Sequence, residues 1–347
     1  MKDFPVHPDE VTADWLGDVL GASVDAVRWE PVGTGQVGDS VRFHITGSDC
    51  PATLAGKFGA ADEASRATAT TFGLYRKEVE FYRRVAPELA VRAPQTYFAE
   101  IGGDGSDFFL LFEDLGPARQ GDQIAGCSIE QARAAIAQAA AIHAPSWHRS
   151  ELLGADWIQP AEQLGATITG MYPQAQAIFR ERYAGQLEPD YMALCEALAE
   201  RAPVYFRSDP DIQCIVHGDF RLDNMLFDIR DGQEPIAILD WQTVTVGKAM
   251  TDVGYFMGCG VGEALWRTHE AELLELWLEE MARRGVTLTR EDIAEDYRRG
   301  ILHGVSTAVF SAAFVKRTPR GDDNFLSMAR GACSLALERD SLAAVKE

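Results

Sequence analysis

The chain predicts an α+β fold in two unequal lobes: an antiparallel-sheet N-lobe with one key helix, and a mostly helical C-lobe. Three observations lead there. Strand-like stretches crowd the first third, at Ala26–Trp29, at Ser40–Ile45 with period-two alternation, and at Leu54–Phe58 and Phe108–Phe112. Among them, Phe72–Val85 instead repeats its apolar residues at helical spacing, with Leu74, Tyr75, Phe81, Tyr82 and Val85 on one face. Further on, helical periodicity dominates, interrupted by two apolar strands around the run His217–Asn224.

Residues 1–112 read as the first lobe, opening with a short helix. After the Ala26–Trp29 strand comes Gly33-Thr34-Gly35-Gln36-Val37-Gly38, a GxGxxG string that dinucleotide-binding turns share with phosphate-covering loops. A dinucleotide turn needs a helix to open at its last glycine, whereas Ser40-Val41-Arg42-Phe43-His44-Ile45 alternates as a strand. The glycines therefore belong to a strand–loop–strand hairpin that covers phosphates, or to a plain glycine-rich hairpin with no ligand.

Lys57 falls in the apolar stretch Leu54–Phe58, where a lone lysine is costly to bury without a partner. Glu78, on the Phe72–Val85 helix, is the first candidate and Glu80 a rival; the alternative is that Lys57 snorkels to solvent. Strands around Gln95–Phe98 and Phe108–Phe112 complete the lobe. Residues 113–117 form the connection, ending in a Gly116-Pro117 turn, and 118–347 form the second lobe. There, Ser128-Ile129-Glu130-Gln131 has capping-box spacing and opens an Ala-rich helix ending near Pro145. Glu263–Arg284 and Arg290–Phe314 follow as long helices, with Gly285 a stop for the first.

The run His217-Gly218-Asp219-Phe220-Arg221-Leu222-Asp223-Asn224, followed by Ile238-Leu239-Asp240-Trp241, carries the chemistry. Phosphoryl transfer needs little covalent help from protein; it needs positioning and neutralisation of charge spread over phosphate oxygens. An Asp to take the acceptor hydroxyl's proton, an Asn five residues later and an Asp after the next strand to hold Mg²⁺ form the expected set. Asp219, Asn224 and Asp240 reproduce that order, and carboxylate and amide oxygens suit Mg²⁺. Any one of these residues alone would be explained by a turn rich in Asp, Asn and Gly.

These motifs together resemble those of the aminoglycoside phosphotransferase and choline kinase-like superfamily, including its ecdysteroid-kinase-like branch. The resemblance runs from about Val32 to Phe256 and implies a protein-kinase-like fold binding ATP and Mg²⁺. It implies Asp219 as catalytic base, Asn224 and Asp240 as metal ligands, and Lys57 with Glu78 as the pair that positions phosphate. Gly33, Gly35, Gly38 and Ser40 would cover the phosphates, and backbone groups of Glu113 and Leu115 would meet adenine. Arg221 would steady the transferring phosphate, or pair with Asp223. Asp252 resembles a carboxylate that braces the catalytic loop, a helix N-cap being the other reading.

Some positions depart from the protein kinases. Gly218 stands where those usually have Arg, Trp241-Gln242 follow Asp240 in place of Phe-Gly, Ser40 replaces a preferred Val, and no Ala-Pro-Glu segment or long activation loop intervenes between Asp240 and Thr251–Phe256. A small-molecule kinase needs no such activation segment. The Phe-Arg-Leu-Asp-Asn wording is similar to that of kinase domains acting on hydroxyacyl thioesters, while the superfamily also modifies aminoglycosides, choline, sugars and steroid-like alcohols. The expected activity is ATP- and Mg²⁺-dependent phosphorylation of a hydroxyl on a small molecule. The alternative is a nucleotide-binding pseudokinase that scaffolds a partner, against which stand the intact Asp219, Asn224 and Asp240. An NAD-binding oxidoreductase would rest on GxGxxG alone.

Composition fits this expectation. With 347 residues and 46% hydrophobic content the chain can build a large core, and its net charge of −21 disfavours nucleic acid and anionic membrane as partners. The first ten residues lack the features of a signal peptide, so a cytoplasmic location is expected. Cysteines 50, 127, 195, 214, 259 and 333 show no CxxC spacing and read as reduced thiols. Lys316-Arg317-Thr318-Pro319-Arg320 is either a greeting for an anionic acceptor tail or an exposed loop. Trp147, His148, Trp241 and Tyr255 either line an acceptor pocket or pack as core, and His143 and His148 read as structural histidines. Nothing in the sequence specifies an oligomeric state or a preference between ATP and GTP.

Overall fold

The computed structural model describes residues 4–33, 38–159, 162–207, 211–315 and 317–346. Its amino-terminal part is a five-stranded sheet in the order β1-β2-β3-β5-β4. The strands are β1 (Ser23–Pro31), β2 (Gly38–Ser48), β3 (Thr53–Gly59), β4 (Thr96–Ile101) and β5 (Phe108–Glu113), paired antiparallel throughout. Alternation gives this sheet two different faces. Val41, Phe43, Leu54, Phe58, Phe109 and Leu111 close one side over Val11 and over Leu16 of α1 (Ala13–Leu20). Phe108, Leu110 and Phe112 point the other way, against Tyr75, Val79 and Tyr82. Tyr75 stacks on Phe108 with centroids 4.4 Å apart, and Tyr82 leans on Phe112 at 4.6 Å. Lys57 lies opposite Ser40 on one neighbouring strand and Leu110 on the other, so the pleat assigns it to this second, inner face.

The helix predicted over Phe72–Val85 is divided, and another, α2 (Glu63–Thr71), precedes it. α3 (Leu74–Glu80) is regular, but Phe81–Val85 widens into a π-turn. The wider turn accommodates an extra residue where α3 meets the second lobe. There Phe81 stacks on Trp241 with centroids 3.8 Å apart and planes 9° from parallel.

The rest is mostly helical: α4 (Ile129–Ser146), α5 (Glu162–Tyr183), α6 (Pro189–Glu200), α7 (Met250–Phe256), α8 (Glu263–Arg283), α9 (Arg290–Phe314) and α10 (Pro319–Glu338). The predicted capping box opens α4: the Gln131 N–H donates to Ser128 Oγ at 3.2 Å and the Ser128 N–H donates to Gln131 Oε1 at 2.9 Å. Two small sheets carry the loops of interest. β7 (Cys214–Val216) pairs with β10 (Thr245–Gly247), and β6 (Arg119–Gln120), β8 (Met225–Asp228) and β9 (Glu234–Ile238) form the other. In the β8–β9 hairpin Met225 faces Ile238, and the Leu239 N–H reaches Asn224 O at 2.9 Å. Asn224, just before the hairpin, and Asp240, just after it, thus emerge at the same end.

α7 lies directly on α9, with glycines at the contacts. A Cβ on Gly254 would fall 2.5 Å from Ile301 N, and one on Gly300 would fall 1.9 Å from Met250 O. Both distances end on backbone, which has no room to give. Gly300→Ala should therefore cost about 3 kcal/mol, the upper end of ordinary overpacking. Gly165→Ala on α5, where a Cβ meets nothing within 4 Å, should be neutral or stabilise by up to about 1 kcal/mol. Urea unfolding of both variants checks this, and equal midpoints would show that the α7–α9 contact is not tight.

Candidate active site

Lys57 comes from the inner face of β3 and Glu78 from the facing side of α3. The Nζ of Lys57 lies 2.8 Å from Glu78 and 3.0 Å from Asp240 Oδ1. Only 15% of the lysine side chain and 2% of Glu78 are exposed, so the ammonium is compensated away from bulk water by two carboxylates, which together exceed it by one negative charge. Burial works against the ammonium, but Asp240 and Glu78 outweigh it and hold Lys57 charged above its ordinary range. Burial pushes Glu78 upward, Lys57 counters only in part, and the Asp240 charge adds to the rise, as expected when two carboxylates share one cation. Glu80, the rival partner, pairs instead with Arg84 at 2.6 Å.

Residues 217–224 connect β7 to β8, and Asp219 sits at their centre. Arg221 Nε donates to both Asp219 oxygens at 3.0 Å, Asn224 Nδ2 to Oδ2 at 2.8 Å, and the Tyr255 hydroxyl to Oδ1 at 2.9 Å. Burial alone would raise the Asp219 carboxyl; the Arg221 charge and hydrogen bond, with help from Tyr255, hold it below the usual carboxylate range. Asn224 also donates to the Asp219 carbonyl at 2.9 Å, so both bonds to Asp219 are made by its amide nitrogen and none by its amide oxygen. Asp240 holds φ at 64°, a left-handed backbone uncommon outside glycine. Arg221 bonds Asp223 as well, at 2.7 Å, so the pairing with Asp223 is present and its fanned donors span two carboxylates.

A fully buried brace fixes this loop. Asp252, in the first turn of α7, accepts the His217 N–H at 2.7 Å, the Gly218 N–H at 2.9 Å and His143 Nε2 at 3.2 Å. It caps no helix end; α7 has Ala249 at its N-cap. Trp277 Nε1 donates to His143 Nδ1 at 3.2 Å, leaving Nε2 as the proton-bearing nitrogen toward Asp252. His217 likewise accepts the Asp219 N–H at Nδ1 and donates from Nε2 to Leu239 O at 2.9 Å, tying the loop to the segment between β9 and Asp240.

With that geometry in hand, residues 41–289 match the ecdysteroid kinase-like family, well over half of the chain. The chain belongs to that family. Among curated proteins it is 25% identical to human acyl-CoA dehydrogenase family member 11 over 167 residues, covering 48% of this chain and 20% of that protein. It is 34% identical to the chicken protein of the same name over 67 residues, 19% of this chain and 8% of that one. The matched segments thus span a fifth or less of these relatives. Among solved structures, choline kinase from Cryptosporidium parvum aligns over 90% of this chain and 89% of its own, with TM-score 0.55 and 10% identity. The GDP and kanamycin complex of APH(2")-IIia aligns over 92% and 94%, with TM-score 0.52 and 15% identity. At these identities the likeness concerns the fold, which is protein-kinase-like.

In this ecdysteroid kinase-like chain the start of β2 lies against Lys57. A Cβ on Gly38 would touch the Lys57 stem at 3.3 Å, and Gly33 holds φ at 77°; Gly35 lies outside the described residues. Ser40 is the direct cross-strand neighbour of Lys57. Glu113 ends β5 with its N–H on Gln95 O at 2.9 Å and its carboxylate between Arg92 and Arg230. Leu115 is buried with Ile229 and Ala237, and half-buried Leu226 and Leu239 pack against them, an apolar patch between the connection and the β8–β9 hairpin. Asp114 accepts Arg42 at 2.6 Å, fastening the connection to β2.

Other expectations resolve toward structure. Trp241 is buried on Phe81, and His148 donates its N–H to Gln213 O at 2.7 Å. All six cysteines are free. Arg317 pairs with Asp322 at 3.0 Å, and Arg320 with Asp223 and Asp122 at 3.4 and 3.5 Å, while Lys316 lies outside the described residues. The described part of the basic cluster thus already has carboxylate partners. Among the described residues, no helix is long and apolar enough to cross a membrane. Sequence reasoning missed the direct contact of Tyr255 with Asp219, whose one available signal was its spacing of three from Asp252.

Burial would raise Asp252, yet the bond from His143 and the loop N–H donors hold its carboxyl below the ordinary value of about 3.9. A group lowered on folding stabilises above its unfolded value and loses that contribution as pH falls through the folded one. Asp252→Ala, which strands several buried donors, should cost about 3 kcal/mol or more at pH 7. Unfolding midpoints measured from pH 7 to pH 3 should show the gap to wild type narrowing below about pH 4. A gap that stays constant would remove the charged brace.

Proposed function

We propose that this protein is an ATP- and Mg²⁺-dependent kinase that phosphorylates a hydroxyl group of a small molecule. The observation that carries the reading is the Lys57 ammonium held between Glu78 of the sheet lobe and Asp240 of the helical lobe, at 2.8 and 3.0 Å, next to the Asp219–Asn224 loop. Such a cation, fixed by two carboxylates rather than free in solvent, is suited to hold phosphate oxygens. Residues 1–112 would form the nucleotide-covering lobe, 113–117 the hinge and 118–347 the lobe that receives the acceptor.

Each residue has a task in this reading. Gly33, Gly35, Gly38 and Ser40 cover the phosphates from the β1–β2 hairpin. The apolar patch of Leu115, Ala237, Leu226 and Leu239 suits a flat base, with backbone groups of Glu113 and Leu115 at its edge. Asn224 and Asp240 supply the two oxygens that would hold Mg²⁺, the amide through the oxygen left by its bonds to Asp219. The bound ion would neutralise charge developing on the transferring phosphoryl group. Asp219 orients the acceptor hydroxyl and takes its proton as the hydroxyl oxygen bonds to the γ-phosphorus and the bond from that phosphorus to the bridging oxygen breaks, releasing ADP. Arg221, already on Asp219, exchanges that contact for phosphate when acceptor and nucleotide arrive. A cytoplasmic site of action agrees with this chemistry.

The test is incubation with ATP and Mg²⁺ against a panel of aminoglycosides, amino alcohols, sugars, sterols and hydroxyacyl thioesters, with phosphorylated products read by mass spectrometry. One panel member should gain a phosphoryl group. Asp219→Asn should bind ATP nearly as well as wild type while transfer drops about 10²–10⁴-fold, the usual weight of a general base. An equally active Asp219→Asn would take the base role from this residue, and silence across the panel with confirmed nucleotide binding would favour a pseudokinase. Lys57→Ala should raise the KM for ATP at least about tenfold, since charge-assisted contacts contribute about 1.5–3 kcal/mol; an unchanged KM would free Lys57 from phosphate.

A further inference from the structure

We infer that Tyr255 is a positioning residue for Asp219, acting on the acceptor side of the reaction through its hydroxyl. This rests on the base role proposed above for Asp219. Tyr255 is fully buried, and its hydroxyl donates to Asp219 Oδ1 at 2.9 Å while Asn224 Nδ2 donates to Oδ2 at 2.8 Å. The two donors take one oxygen each. Arg221 Nε, 3.0 Å from both, occupies the edge between them. When Arg221 turns to phosphate, that edge is where an acceptor hydroxyl can donate, and Tyr255 and Asn224 are left to fix the plane of the carboxylate. A carboxylate free to rotate about its Cβ–Cγ bond would offer this edge only part of the time.

The fold makes Tyr255 a rigid donor. Asp252 and Tyr255 lie three residues apart on α7 and so share a face. Asp252 fixes the loop backbone at His217 and Gly218, and Tyr255 fixes the side chain at the next residue, so one helix turn sets both the main chain and the base. From α9, His303 packs edge-on against the Tyr255 ring at 5.2 Å and bonds Gly218 O at 2.8 Å through Nε2. α7 and α9 approach backbone to backbone at Gly254 and Gly300, and α9 also backs the ring itself, where a Cβ on Gly304 would fall 3.3 Å from it.

Tyr255→Phe removes the hydroxyl and keeps the ring. In steady-state transfer assays we expect kcat to fall about tenfold to a hundredfold, less than loss of the base itself, with KM for ATP and the thermal midpoint within error of wild type. In an Asp219→Asn background, whose residual transfer is read by mass spectrometry, Tyr255→Phe should have no further effect, because the hydroxyl works only through that carboxylate. An unchanged kcat would overturn the inference. So would an equal loss in both backgrounds, or a fall in kcat accompanied by parallel losses in ATP affinity and melting temperature, which marks a merely structural tyrosine. If Asp219→Asn alone leaves transfer intact, the base role itself has failed, and the inference falls with it.

Discussion

An ammonium taken out of water costs several kcal/mol unless carboxylates replace its hydration, and Lys57 meets that requirement with one carboxylate from each lobe. The arrangement constrains everything around it. β3 must run so that its inner face meets α3, α3 must present Glu78 at that height, and the loop after β9 must return Asp240 to the same point. Sheet register, helix phase and hairpin pairing therefore converge on one cation, and a slip in any of them would bury a charge uncompensated.

The lower half of the site is organised by an independent principle. Asp252 is a carboxylate whose hydrogen bonds go to main-chain N–H groups and to a histidine rather than to a cation. It fixes backbone, while Arg221, Asn224 and Tyr255 fix the side chain of Asp219. The loop is thereby specified at both levels by α7 and its neighbours, and the apolar core beneath, with Trp277, Tyr255 and Trp241 all fully buried, keeps those elements from shifting.

Much of this was legible in the sequence, for identifiable reasons. Alternation in β1–β3 follows from a two-faced sheet, and the capping box at Ser128 is a local signal that needs no tertiary context. Lys57 and Glu78 were paired from the cost of burying a lone lysine, a constraint that holds whatever the fold. The π-turn at Phe81–Val85 was not legible, because it depends on a stack between Phe81 and Trp241, which are remote in sequence. Asp252 could be read as cap or brace because the N-cap of α7, Ala249, lies only three residues away, within the error of any sequence-drawn boundary. Tyr255 escaped notice because an aromatic inside an apolar helix is ordinarily core, and it is core except for one oxygen.

The stack of Phe81 on Trp241 joins α3 to the loop bearing Asp240 through apolar surface and π-contact rather than through charge. Ionic strength screens exposed charges within about 10 Å at 0.1 M salt but leaves such a contact untouched. The hold of helix on loop thus has, beside the ion pairs of Lys57, a component that the salt content of the surroundings does not weaken. On a chain carrying a net charge of −21, whose exposed charges feel every change in counterions, this gives the centre of the molecule an alignment that its surface electrostatics do not set.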